Sequence, residues 1–411
     1  MLNSNNEREL AYLVKVDAIT PMNADRLECA HIGGWHCVVG KGEFQVGDFG
    51  VYFEIDAQLP EIEPFASMEF LKSKHYKIKS QKIRGEISQG LLMPISAFGW
   101  VKEFANFEDD YCGVLEPDGA RHILEDDSRF LTKFFNVTYS VSEDNQRKAP
   151  SMDKYKRMAQ RNSKIARTFW WRWLYRRDWG KKLLFTFFGK KKDKKGGWPS
   201  WVVKTDEERV QNMPWLFANA GSEWIATEKI DGTSTTFTMR GMGRKREFYV
   251  CSRNVVFDKP DKKCFYETNV YTEMAEKYHI EEVLANILAH DPDLEFITIQ
   301  AETFGVGVQR RDYGMKNHDM RVFNVIYGYK DKVVRLNPVE GARAMEVYNI
   351  PFVPIVNTKF ELPATCEEVL AICGGPSQID GGMREGLVFR SLDCVQSFKA
   401  VDNEFLLKYH G

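Results

Sequence analysis

Thr227-Glu228-Lys229-Ile230-Asp231-Gly232-Thr233 is the stretch on which the reading of this chain turns. An apolar run, Trp224-Ile225-Ala226, leads into it as a strand would, and Asp231-Gly232 closes it as a turn. The amine of Lys229 is thereby expected at a strand end facing a turn, where a nucleophile can meet a substrate. A surface turn with a solvated lysine is written in the same letters, so the stretch does not assign chemistry by itself.

Three further segments follow in fixed order. They are Gln300-Ala301-Glu302-Thr303-Phe304-Gly305, Arg384-Glu385-Gly386-Leu387-Val388-Phe389-Arg390 and Ser397-Phe398-Lys399-Ala400. In that order the four segments resemble the covalent nucleotidyltransferase superfamily of ATP-dependent ligases and mRNA capping enzymes, with the RNA ligases the nearest match. The chemistry suits the residue types. A neutral lysine amine that attacks the α-phosphorus of ATP gives a lysyl-phosphoramidate and pyrophosphate, and keeps the anhydride's activation for a second transfer. The ammonium must first lose its proton, and the phosphate charges must be offset. A ring of carboxylates, Asp231, Glu302 and Glu385, supplies hard oxygens for Mg2+ or Mn2+, while Lys399, Arg253 and Arg209 neutralise phosphates.

The resemblance implies a role for each matching position. Lys229 stands where the adenylylated nucleophile is expected, with Glu228 and Gly232 beside it in the nucleotide-binding set. Asp231 matches the acid that binds the ribose or the water shell of the metal. Arg253, in Cys251-Ser252-Arg253-Asn254 after the strand-like Phe248-Tyr249-Val250, matches a residue that touches ribose and phosphates. Glu302 matches a contact to ribose or metal waters, and Glu385 a metal-shell acid. Phe323 matches the aromatic that stacks on the purine, although a core phenylalanine is the other reading and Asn324 stands where an aspartate is usual. Val388 matches the aliphatic on the base's other face. Lys399 begins Lys399-Ala400-Val401, where many RNA ligases have a second lysine; Lys408 is the candidate replacement.

Arg209 lies in Lys204-Thr205-Asp206-Glu207-Glu208-Arg209-Val210-Gln211-Asn212. The segment reads as a helix start, with Thr205 as N-cap and Glu208 completing a capping box. Composition alone makes Arg209 a surface charge, whereas the resemblance sends it to the ATP phosphates.

Residues 9 to about 100 alternate short β-type runs with turns: Leu10 to Ile19, Cys37 to Val39, Gly50 to Ile55 and Lys77 to Ile83, separated by Pro21, Gly33-Gly34, Gly40, Gly47 and Gly90. The phrase from Asn23 to Asp48 resembles an oligonucleotide-binding (OB) fold of the kind some RNA ligases carry first. Lys72, Lys74, Lys77, Lys79, Lys82 and Arg84, interleaved with His75 and Tyr76, form either a phosphate-contacting strip or a solvated edge. Beyond Val141 a dense aromatic and basic segment follows, including Trp170, Trp171, Trp173, Trp179, Phe185, Phe187, Phe188 and Lys190 to Lys195. It could stack on single strands, lie on an anionic membrane, or pack against a neighbouring domain.

The expected fold is α+β, an ATP-grasp-like nucleotidyltransferase domain of antiparallel sheets with flanking helices (200–411), preceded by a small OB-type β-barrel (1–140) and a linker with the aromatic and basic insert (141–199). The 411 residues and 43% hydrophobic composition can fill two cores. A net charge of −1 gives no global attraction to nucleic acid. The eight cysteines form no C-x-x-C pair, which argues against zinc and for a reducing compartment. No signal-like or membrane-spanning apolar run occurs, so the expectation is a cytoplasmic or nuclear monomer that acts on RNA in a nicked duplex. Gly411 comes a dozen residues after Lys399, leaving no room for the OB domain that DNA ligases and capping enzymes carry after this segment. A DNA ligase, or a binding protein with a decayed site, are the alternatives. Since every matching residue lies beyond 200, adenylylation is expected to be separable from the first domain.

Overall fold

β1 (Ala11–Lys15) carries four apolar residues in succession instead of an alternation, because both of its faces are covered. It pairs antiparallel with β5 (Phe49–Phe53), and β5 with β9 (Leu91–Pro94). A second antiparallel sheet holds β2 (Ala18–Pro21), β3 (Leu27–Ile32) and β4 (Trp35–Gly40). Tyr12, Tyr52 and Leu92 face Ala30, Ile32, Trp35 and Cys37 in one core. Ala11, Leu13, Val51, Phe53 and Met93 face Phe65, Phe98, Leu131 and Phe135 in another. Two small pairings, β6 (Ala57–Gln58) with β10 (Thr138–Tyr139) and β7 (Gln81–Ile83) with β8 (Glu86–Ser88), complete the OB-type domain.

The computed structural model describes residues 1–3, 5, 7–98, 129–139, 168–177, 179–182, 184, 198–203, 207–241, 243, 246–257 and 269–410. The chain divides into two compact units, Met1–Ser140 with Trp201–Gly411, and Val141–Ser200. In the second unit α2 (Phe169–Tyr175) follows α1 (Glu69–Lys72) of the first domain in chain order. The expected Thr205 cap, Phe185, Phe187, Phe188 and Lys190 to Lys195 lie outside the described residues. Among the described residues no helix is long and apolar enough to cross a membrane.

The C-terminal domain has two sheets. One has the order β11 (Glu208–Arg209), β21 (Ser397–Val401), β20 (Gly386–Ser391), β12 (Glu223–Lys229), β19 (Ile355–Glu361). The other runs β15 (Val256–Phe257), β14 (Glu247–Ser252), β13 (Thr233–Arg240), β16 (Leu294–Phe304), β17 (Asp319–Tyr329), β18 (Val333–Arg335). α3 (Val270–Lys277) and α4 (Ile280–His290) bury Val270, Met274, Leu284 and Leu288 against Phe237, Ile297 and Ile299 of the larger sheet. α5 (Pro338–Glu346) opens on a capping box made by Asn337 and Glu340. α6 (Cys366–Cys373) opens on a second, Thr365 with Glu368, and covers Phe389 and Phe398 of the smaller sheet.

Two expectations are corrected here. The segment leading to Asn212 is not a helix: Glu208–Arg209 is a strand parallel to β21, followed by a 3-10 turn over Val210–Asn212. The Glu208 carboxylate accepts the Arg209 N–H at 3.0 Å and Asn212 Nδ2 at 2.7 Å, so it closes a turn rather than a helix end. The lysine strip is also broken, because Tyr76 and Lys77 are buried and Tyr76 joins the core of the first domain.

The two domains of the first unit share buried contacts. Glu54 is fully buried and accepts Arg8 Nε at 3.1 Å and Asn212 Nδ2 at 3.0 Å. Ile87 of β8 packs with Val401 and Leu406. Gly34 comes so near α6 that an added Cβ would lie 2.6 Å from Cys366 Sγ.

Candidate active site

Lys229 is the last residue of β12 in the smaller sheet, and Thr233 is the first of β13 in the larger one. The chain crosses between sheets at Ile230-Asp231-Gly232, so the site lies where the sheets meet. Ile230 anchors the crossing among Phe304, Tyr313 and Val353. Gly232 permits it sterically: a Cβ there would lie 2.4 Å from Thr303 O and 2.9 Å from Glu302 Cγ. The bare backbone is what lets Glu302, paired with Ser234, come alongside.

Lys229 Nζ donates to Glu385 Oε2 at 2.7 Å. Burial alone would push the amine's pKa down, but Glu385, Glu302 and Asp231 outweigh it and hold the ammonium above its ordinary value. Burial, reinforced by Glu385, Asp231 and Glu207 against the opposing pull of Lys229, pushes Glu302 up to about 8. The Asp231 N–H donates to Tyr313 Oη at 2.7 Å, and Asp231 Oδ1 lies 3.3 Å from His410 Nε2. The hydrogen bond to Asp231 raises the His410 pKa. Asp231 Oδ2 is buried without a hydrogen-bond partner, a hard oxygen of the kind a divalent ion takes. Among the described residues no three acidic, histidine or cysteine side chains converge closely enough to cage an ion. Asp231, Glu302 and Glu385, the acids expected at the metal's water shell, all lie near enough to Lys229 to act on its charge.

Across the smaller sheet Thr227 pairs with Val388, Val388 with Lys399, and Lys399 with Arg209. This register puts two cations and an aliphatic side chain in line beside the Lys229 strand. Arg209 lies with its guanidinium carbon 5.7 Å from the Trp35 ring, and its Nη1 is buried without a partner. Burial pushes its pKa down, against the pull of Glu385 and Glu54.

Known proteins share this two-domain order. Residues 222–410 match the RNA ligase family, and residues 10–95 match an OB-fold domain family. The chain carries an RNA ligase domain preceded by an OB-fold domain. Solved structures agree over its whole length. A mutant RNA ligase of Naegleria gruberi with AMP and Mn is 26% identical, covers 98% of this chain and 99% of its own, and has a TM-score of 0.64. A mutant with ATP and Mn has 25% identity, the same coverage and the same TM-score. The ligase with PPi has 26% identity, covers 98% and 99%, and has a TM-score of 0.62. No curated protein sequence matches.

Several residues of this RNA ligase stand differently from expectation. The side chain of Glu228 points away from the amine: Ser377 Oγ and the Gln378 N–H (2.8 Å) donate to its buried carboxylate, so it fastens the loop after α6. Phe323 is the extra residue of a β-bulge, since Ala301 pairs with Val322 and Gln300 with Asn324. A bulge re-aims a side chain, and Phe323 is half-buried while Val322 and Asn324 on either side of it are buried. Asn324 donates to Gln300 Oε1 at 2.9 Å. Arg253 is exposed just past β14, whose Ser252 pairs with Thr235, at the same sheet end as Glu302. Lys408 is exposed, its ammonium 5.0 Å from the Tyr409 ring; the residue of that turn that reaches the site is His410. Sequence reading missed His410, Tyr313, Trp35 and Arg390, none of which lies in or near the Lys229 stretch along the chain. Arg390 Nη1 donates to the Phe323 carbonyl at 2.7 Å and its Nη2 to Glu207 at 2.8 Å.

Proposed function

We propose that this enzyme joins a 3′-OH RNA end to a 5′-phosphate end at a nick, through three nucleotidyl transfers. The Lys229 amine attacks the α-phosphorus of ATP and releases pyrophosphate; AMP passes from Lys229 to the 5′-phosphate; the 3′-OH attacks the activated end and AMP leaves. The observation that carries the reading is the Lys229 amine at the junction of the sheets, 2.7 Å from Glu385 and under the charge of Glu302 and Asp231. The similar Naegleria gruberi structures with ATP, AMP and Mn support ATP and Mg2+ or Mn2+ as cofactors. A bound divalent ion would offset phosphate charge and favour the neutral amine; Asp231, Glu302 and Glu385 are the residues that would hold it. Arg209, Lys399 and Arg253 neutralise phosphates, while Phe323 and Val388 sandwich the base, with Gly232 leaving room at the turn. Lys229 is held as an ammonium on Glu385, so it must release that carboxylate before it attacks.

The enzyme is further read as an intracellular monomer, in the cytoplasm or nucleus; the free cysteines 29, 37, 251, 366, 373 and 394 suit a reducing compartment. The test is sealing of nicked duplexes that differ only in the 3′-OH strand. Sealing with a ribonucleotide end and little with a deoxyribonucleotide end is expected. Equal sealing of both would remove the RNA-specific part of the proposal.

A further inference from the structure

Charge is divided unevenly between the two units of this chain. Residues 141–200 hold eighteen Lys and Arg against five Asp and Glu, a net charge of +13, whereas the whole chain carries −1 and its remaining residues therefore −14. The same segment holds five of the ten tryptophans. A polyanion is repelled by the acidic body and attracted to this unit.

The described part of the unit shows how its aromatics are used. Trp171 and Leu184 are buried. Trp170, Trp173 and Trp179 are left on the outside, 71%, 39% and 55% exposed. Their rings follow one another edge to face, with centroids 6.4 Å apart from Trp170 to Trp173 and 6.0 Å from Trp173 to Trp179. The Arg177 guanidinium lies 3.9 Å from the Trp173 ring and is tied to the Trp173 carbonyl at 3.3 Å. Arg176 beside it is exposed. A membrane-seated face would present aliphatic side chains to the acyl region; among the described residues of the unit the exposed large hydrophobics are tryptophans alone. Exposed aromatic rings interleaved with arginine are what single-stranded nucleic acid uses, because every base has a face to stack and every phosphate a charge to neutralise.

We propose that Trp170, Trp173, Trp179, Arg176 and Arg177 form a second RNA-binding surface, on which unpaired bases stack without regard to sequence. The choice of RNA over other polyanions rests on the ligase reading above. A surface of this kind on the same chain raises the local concentration of RNA ends for the catalytic domain.

The test compares the full chain with a Trp170→Ala/Trp173→Ala/Trp179→Ala variant in binding a fluorescent single-stranded oligouridylate, at low and at moderate salt. Self-labelling with α-labelled ATP is run beside it. The alanine variant is expected to bind about 10-fold or more weakly, with unchanged self-labelling, and the triple phenylalanine variant to recover most of the binding. Arg176→Glu/Arg177→Glu should weaken binding independently and flatten its salt dependence. Equal RNA binding by the wild type and the alanine variant overturns the proposal. Binding of the wild type to phosphatidylserine vesicles in preference to RNA overturns it in favour of a membrane surface. A wild type that binds RNA through these residues yet takes no label from ATP contradicts the catalytic reading and leaves this one standing.

Discussion

At Lys229 burial and charge pull in opposite directions, and charge wins: three carboxylates keep the amine protonated despite its partial enclosure. The consequence for pH follows directly. A nucleophile with a raised pKa is reactive in a smaller fraction of molecules at neutrality, so the kcat/KM for adenylylation should rise with pH, its limb reporting the free enzyme's amine. Glu385 is the strongest of the groups that raise it. Glu385→Gln should therefore move the limb to lower pH even as it lowers the maximal rate, and a limb that stays in place or moves upward would contradict this electrostatic account. Glu228 shows the limit of reading residues by adjacency. Neighbours in a strand point to opposite faces, and the carboxylate next to Lys229 holds a distant loop instead.

Among the elements, β12, β14, β20 and β21 are legible in the sequence because each is an apolar run ended by a turn or a charge. β11 is not. Glu208 with the threonine and acids before it spells a helix start locally, whereas the strand forms by pairing with β21, a partner far along the chain. The burial of Tyr76 and Lys77 escapes the sequence for a similar reason, since composition does not say which side chains turn inward. The bulge that aims Phe323 leaves no trace in the sequence, and its support comes from Arg390 on the other sheet. Arg390 is 2% exposed and also pairs with Glu207. Arg390→Ala should therefore destabilise the fold by about 3 kcal/mol, because it strands one charge and one carbonyl. Urea unfolding measures this; a loss within ~0.5 kcal/mol, the range of an ordinary surface change, would show that the bulge does not depend on it.

For the molecule as a whole, the sequence suggests an adenylylation domain independent of the OB-type domain, and the contacts argue otherwise. The first domain supplies the ring above Arg209, covers Val401 and Leu406 through Ile87, and buries Glu54 against Asn212. A chain beginning near residue 200 would expose those groups, and it should label poorly with ATP as well as fail to seal. Trp35→Leu is the milder form: it keeps an apolar side chain in the core that Trp35 fills and removes the cation–π contact of about 1 kcal/mol, which should lower adenylylation several-fold. Full labelling by both would mean that the interface serves only to dock RNA. In the proposed reaction one amine, at the junction of two sheets, carries AMP. Intact-mass spectrometry of the full chain after incubation with ATP and Mg2+ or Mn2+, followed by peptide mapping, tests it most directly. A single added AMP is expected on the peptide that contains Lys229, and none in Lys229→Ala; an adduct that persists in that variant, or one mapped to another lysine, would show that a different group carries it.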